Sequence, residues 1–293
     1  MSKVVQISIL GKISGNVNAD EVIGTRVTVK KMYSSGGEVL PFVSARAVKY
    51  SIRQALKDKG FEIDPFVENP GQEALRLADT GDPAKYIDND LFGYMKTKGR
   101  GETADKRQAP VAFSYFKALR DTPVKAEFAA RFPRASATPK EENPVPFEVE
   151  VAEFVGRLNC IMYDYIGKNP ENGKDIVEPD ERKKRITSFS EVLLAPTYVL
   201  PRRTNSLNIP EYIAGLVCLS EKGPLPIYQY LDYDFENSMV SLNMLEMLTK
   251  RDEIKNSGAR LRFIDYTGKI EKLPEGIVKA SVKEIIDAIA DFL

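Results

Sequence analysis

"KVVQISILGKIS", Lys3 to Ser14, decides the fold class. After Val4 both of its alternating faces are largely apolar, the pattern of a strand in the interior of a sheet. Outward from it, "TRVTVKKMY" (25–33) alternates Val27 and Val29 with polar residues and reads as a half-exposed strand. "SSGGE" (34–38) is a turn. "VSARAVKYSIRQALK" (43–57) then reads as a helix capped by Ser44. Val48, Ile52, Ala55 and Leu56 share one side of it; Arg46, Lys49, Arg53 and Lys57 form an adjoining cationic stripe.

Strand, strand, helix, and then strands and helices separated by long loops, predicts an α+β fold as one domain over 1–293. Residues 61–110, rich in Gly, Pro and Asp, read as an inserted segment whose most hydrophobic piece is "DNDLFGYM" (88–95). "SYFKALR" (114–120) and "VKAEFAARF" (124–132) read as short helices, and "FEVEVAEFVGRLN" (147–159) as an alternating strand. "KNPENGKDIVEPDERKKR" (168–185) reads as a polar excursion. "SFSEVLLAPTYVLPRRTNSLN" (188–208) reads as a strand broken at Ala195-Pro196 and continued as an extended arm. The C-terminal part predicts a strand around "AGLVCL", a helix at "NSMVSLNMLEMLTKR", a strand at "ARLRFIDY" and a helix at "SVKEIIDAIADFL". Met239, Met244 and Met247 are expected in the core.

Composition prunes the chemistry. The 293 residues are 43% apolar and 29% charged, ordinary for a globular protein, and no apolar run reaches the roughly 20 residues of a membrane helix. The start of the chain reads as a strand rather than a signal peptide, and Cys160 and Cys218 read as buried free thiols, so the expected compartment is the cytoplasm. With no histidine, Ser-His and Cys-His nucleophilic pairs and the commonest metal ligand are excluded. Lys plus Arg and Asp plus Glu both total 42, yet the charges are segregated along the chain. Arg26 to Lys59 holds eight basic residues against Glu38 and Asp58; Glu62 to Asp90 holds eight acids against Arg76 and Lys85. A cationic face on a neutral protein follows as an expectation.

Four groups are candidate sites. In the basic helix, Arg46, Lys49 and Arg53 at one-turn spacing, with Ser44 and the free amides of the first turn, suit phosphate contacts, although most such stripes are plain solvated faces. In "GKISGNVNADEVIG" (11–24), Asn16 and Asn18 alternate at a strand end and are placed to face one ligand, or to form a turn. Asp88 and Asp90 lack a third carboxylate at ligand spacing and read as turn and cap residues, so no metal or other cofactor is expected. Finally there are basic arms: Lys96 and Arg107 around "KTKGRGETADKRQ", then "ERKKR", then Arg202 and Arg203 preceded by Tyr198, Leu200 and Pro201. That last mixture of aromatic, wedge-like and cationic groups suits a single nucleic-acid strand.

"ISILGKISGNVNADEVIG…VSARAVKYSIRQAL" with "DNDLFGYM" and "RQAPVAF" resembles the signature of the DevR-type CRISPR-associated proteins, the backbone subunits of type I Cascade within the RAMP superfamily. The resemblance implies a modified RRM-like (ferredoxin-like) palm, a finger-like insertion at 61–110 and an extended thumb at 193–208. It implies an RNA-binding set of Asn16, Asn18, Arg26, Ser44, Arg46, Lys49, Arg53, Lys96, Arg107, Arg202 and Arg203, with Tyr198, Leu200 and Pro201 as the thumb's wedge. It also implies crRNA, the target DNA strand, further copies in a head-to-tail filament and other Cascade subunits as partners, no membrane, no catalysis, and subtype I-B. Two alternatives stand beside it: a metal-dependent RNA endonuclease using Glu38, the carboxylate in the turn before the basic helix, and a DNA-binding autoregulator.

Overall fold

A computed structural model describes residues 3–17, 19–65, 67–68, 77–96, 105–131, 144–201 and 207–293. The first strand, β1 (Val4–Gly15), lies at the centre of the main sheet, as its two apolar faces require. It pairs antiparallel with β7 (Val145–Tyr163), Val4 opposite Tyr163, and on its other edge with β8 (Glu211–Ser220), Val4 opposite Ser220. Other strands that matter here are β2 (Arg26–Val29), β3 (Lys31–Tyr33), β4 (Val39–Val43), β5 (Phe116–Ala118), β6 (Lys125–Arg131), β9 (Arg260–Asp265) and β10 (Ile277–Lys279). The order across the sheet is β10-β9-β8-β1-β7-β5-β4-β3, antiparallel except where β9 meets β10. The fold is mixed α+β on a large, mostly antiparallel sheet.

One sheet face carries α1 (Ala45–Asp58), α2 (Ile87–Phe92), α3 (Pro179–Leu194) and α5 (Val282–Phe292). Val5, Ile7, Ile9 and Ile13 of β1 meet Val48, Ile52, Leu56, Leu91, Phe189 and Ile289 there in one apolar cluster. A second cluster on the opposite face joins Leu10, Leu216, Cys218 and Phe263 to Leu245 and Leu248 of α4 (Leu242–Lys250). Each fully buried Leu or Ile contributes about 1.5–3 kcal/mol. Cys160 and Cys218 are buried free thiols. Among the described residues no helix is long and apolar enough to cross a membrane.

Several segments differ from the sequence reading. "SYFKALR" and "VKAEFAARF" form strands β5 and β6 rather than helices, because β7 offers each a pairing edge (Lys117 opposite Arg157, Phe128 opposite Glu148) that outweighs local helix propensity. The reverse holds for α3. Its Pro179 sits at the helix start with Asp180 and Glu181 in the first turn, so "ERKKR" and "SFSEVLL" are helical, not a loop and a strand. Within 193–208, Leu193 and Leu194 end this helix, and Tyr198 and Leu200 are 1% exposed. Of the described part of the expected thumb, Leu193, Leu194, Tyr198 and Leu200 pack on the core, while Val199 and Leu207 are exposed. Met247 is half exposed rather than core.

The insertion is tied down by buried charge. Asp90 of α2, fully buried, accepts from Arg107 Nη2, from Arg185 Nη1 at 3.0 Å and from the Gly167 amide at 3.0 Å. Arg107 spends its other donors on the carbonyls of Asp90, Lys168 and Tyr165, and Arg185 on those of Pro83 and Ala84 and on Glu181 Oε1 at 3.1 Å. Gly93, at φ +70°, ends α2 against the Arg107 carbonyl, where any Cβ would collide. Asp90→Asn is expected to destabilise the fold by about 3–5 kcal/mol, since it leaves buried Arg107 without its anion and Arg185 with Glu181 alone. Urea unfolding measures this; an unshifted midpoint would mean that the arginines are held by their carbonyl bonds alone.

Candidate nucleic-acid interface

Helix α1 is placed by its apolar side, with Ala47, Val48, Ile52, Ala55 and Leu56 buried. Ser44 caps it, its Oγ accepting from the Ala47 amide at 3.3 Å, and its first turn holds no acid. The positive end of the helix is thus uncompensated by a side chain of that turn. Arg46 is exposed there. One turn on, Lys49 is half-buried with its Nζ 5.4 Å from the centre of the Phe92 ring, and the Arg53 guanidinium lies 5.0 Å from the same ring. Arg53 Nε donates to Asp88 Oδ2 at 3.0 Å, and Asp88, 1% exposed, also accepts from the Asp64 amide at 2.9 Å.

Folding thereby reunites charges that are segregated in sequence. Asp88, from the acidic stretch, neutralises Arg53 from the basic one. Arg26 pairs with Glu148, Lys31 with Glu150 at 2.8 Å, and Lys59 with Glu191 at 2.7 Å. The cationic stripe shrinks to Arg46, Lys49 and Lys57, backed by the partly compensated Arg53. Lys49 is half-buried and has no carboxylate partner among the described residues. Burial, and next the neighbouring Arg53 charge, push its pKa below the ordinary lysine value.

Other expected site residues have structural duties. Asn16 is 1% exposed, and its Nδ2 donates to the Glu150 carbonyl at 2.8 Å while its buried Oδ1 has no partner. It braces the end of β1 instead of facing a ligand. Arg107, 7% exposed, belongs to the Asp90 cluster and is withdrawn as an RNA contact. Tyr198 and Leu200 are withdrawn as wedge residues: the Tyr198 and Tyr212 hydroxyls lie 2.7 Å apart in the core, and the Leu200 amide bonds to the Asn208 carbonyl at 2.8 Å. Pro201, next to them, is half-buried. Lys96 is exposed, its Nζ donating to the Thr80 carbonyl at 3.2 Å. Asn18, Arg202 and Arg203 lie outside the described residues. Asp88 and Asp90 anchor arginines, beyond the turn and cap roles expected of them.

The residue missed from sequence is Phe92, the platform under both Lys49 and Arg53. Its signal is the Leu91-Phe92-Gly93 run, two buried apolar groups followed by a glycine whose backbone only glycine adopts easily.

The family model described as "CRISPR-associated negative auto-regulator DevR/Csa2" matches residues 13–235. A solved structure of a chain in a "CRISPR RNA-guided surveillance complex, pre-nicking" superposes with a TM-score of 0.65 at 12% identity, over 98% of this chain and 99% of that one. Another, from a "CRISPR RNA-guided surveillance complex", gives 0.62 at 13% identity, over 98% of each chain. No curated protein matches the sequence.

The lowered Lys49 pKa has a sign. The unfolded chain holds that proton more tightly than the folded one, so the charged lysine costs stability at neutral pH, and stability returns as pH rises toward 10.5. Lys49→Met is expected to raise the melting temperature at pH 7 and to flatten the alkaline rise seen in the parent. Melting curves across pH measure this; parallel profiles would show that Lys49 is well solvated.

Proposed function

The chain belongs to the CRISPR-associated DevR/Csa2 family, and from that premise we propose that it is a non-catalytic subunit of an RNA-guided surveillance complex that holds a guide RNA by its backbone. Lys49 carries the reading. It is half-buried over Phe92, beside exposed Arg46 and near the uncompensated start of α1, and burial lowers its pKa. An ammonium held without a carboxylate partner among the described residues suits a phosphate, which supplies the missing charge and at the same time relieves the desolvation. Phe92 holds the side chain toward one side and Asp88 sets the neighbouring Arg53. These contacts reach sugar and phosphate and leave base edges free for pairing.

Head-to-tail assembly along the RNA has its own support. Residues 145–151 of β7 run past the main sheet as a ribbon with β6 and β2. That ribbon exposes Phe128 (72%) and Val145 (61%), large apolar groups that a neighbouring copy would cover. In this reading the arm that reaches the next subunit is the ribbon, not 193–208. Zero net charge fits, because each copy needs only a small cationic patch.

The experiment is to produce the protein in cells carrying a CRISPR array, purify it and sequence the RNA that accompanies it. A discrete repeat–spacer species is expected, intact after incubation with Mg²⁺. The doubly substituted Arg46→Glu, Lys49→Glu protein is expected to lose that RNA without a fall in its melting temperature. Miscellaneous cellular RNA, or RNA shortened by the purified chain, would overturn the reading, the latter in favour of an endonuclease.

A further inference from the structure

The sheet face opposite α1 is only half covered. Around β8 and β9 it lies under α4 and the second apolar cluster, but over β7, β5 and β4 it opens into a cleft of about 350 Å³. The cleft is lined by Met32, Ser114, Tyr115, Lys117, Leu119, Arg157 and Asn159. Its lining holds two cations and no carboxylate.

Three strands bring the key groups into line. Lys117 stands directly opposite Arg157 on one side and Phe42 on the other. Cross-strand neighbours sit about 5 Å apart, so a directly opposed Lys–Arg pair repels unless an anion lies between or above them. The Phe42 and Tyr115 rings stack at 4.9 Å and 20°, which fixes the plane of Tyr115 while leaving it 49% exposed. Arg157 is held at the cleft by donating its Nη1 to the Leu231 carbonyl at 3.0 Å and to that of Gln229 at 3.3 Å. Asn159 Oδ1 accepts from Ser8 at 2.8 Å, which leaves the Asn159 amide donors as the part for a ligand.

A braced, exposed ring beside two cations, Lys117 and an Arg157 only partly balanced by Asp232, and an amide is a stacking surface next to a phosphate site. We propose that this cleft binds one nucleotide unit of a single nucleic-acid strand, the base stacked on Tyr115 and the phosphate held between Lys117 and Arg157. It is a second strand-binding site, on the opposite sheet face from Arg46 and Lys49, and it does not depend on the guide-holding role proposed for that helix.

The sequence contains no tryptophan, so Tyr115→Trp places a single indole emitter in the cleft. Short oligo-U RNA and oligo-dT DNA are titrated into this protein, with gel shift followed in parallel. Saturable quenching by either strand is expected, and the better quencher identifies the occupant. Adding Lys117→Glu is expected to weaken the quenching titration by about tenfold or more. Lys117→Gln gives a smaller loss and guards against a folding defect, which melting curves detect. Adding Arg46→Glu and Lys49→Glu instead leaves the quenching in place, so failure of the helix site and failure of the cleft are separable. Unchanged emission at oligonucleotide concentrations that saturate the gel shift would overturn the proposal. So would emission that follows protein concentration without oligonucleotide, which would assign the cleft to a second copy of the chain.

Discussion

The buried pairing of α2 carboxylates with arginines governs the arrangement of this protein. A six-residue helix sends Asp88 to Arg53 and Asp90 to Arg107 and Arg185, and it places Phe92 beneath the cations of α1. Buried carboxylates are tolerated only when their charge is matched and their lone pairs are filled. Here that demand joins the inserted segment to α3, to the loop at Tyr165–Lys168 and to the basic helix at once. The position of the cationic stripe is thus a consequence of where two aspartates had to be satisfied.

The same demand separates structural from available charge. Arg53, Arg107 and Arg185 have carboxylate partners inside the chain; Arg46 and Lys49 have none among the described residues. A patch this small binds weakly alone, and the proposed repetition along an RNA would make it sufficient. A surface built from point contacts to phosphate also has no means of reading bases, which is what a carrier of arbitrary guides needs.

Much of the architecture was legible in residue periodicity. The doubly apolar β1, the long alternating β7, the Ser44 cap of α1 and the closing helix α5 all stand where the sequence places them. The differences have two causes. In "VKAEFAARF" helix-favouring Ala, Lys and Glu were outvoted by a pairing edge on β7, which local sequence does not display. "SFSEVLL" looked extended, although Pro179 and the acids after it already marked a helix start. At the site, a run of cations reads alike whether its members are solvated or clamped. The partners of Arg107 lie 17 to 61 residues away along the chain, beyond any local pattern. Tyr198 beside Arg202 and Arg203 resembled a stacking arm, but its hydroxyl partner Tyr212 is visible only in three dimensions.

The proposed grip of α1 on a nucleic-acid backbone runs through Arg46 and Lys49. The salt dependence of binding to one fixed single-stranded RNA tests it most directly, comparing the parent with Arg46→Ala, Lys49→Ala. Each lost phosphate contact should reduce the slope of log affinity against log salt by about 0.7, so the account predicts a shallower line and weaker binding at low salt. Parallel lines of equal affinity would contradict it, since they would place every phosphate contact somewhere other than this helix.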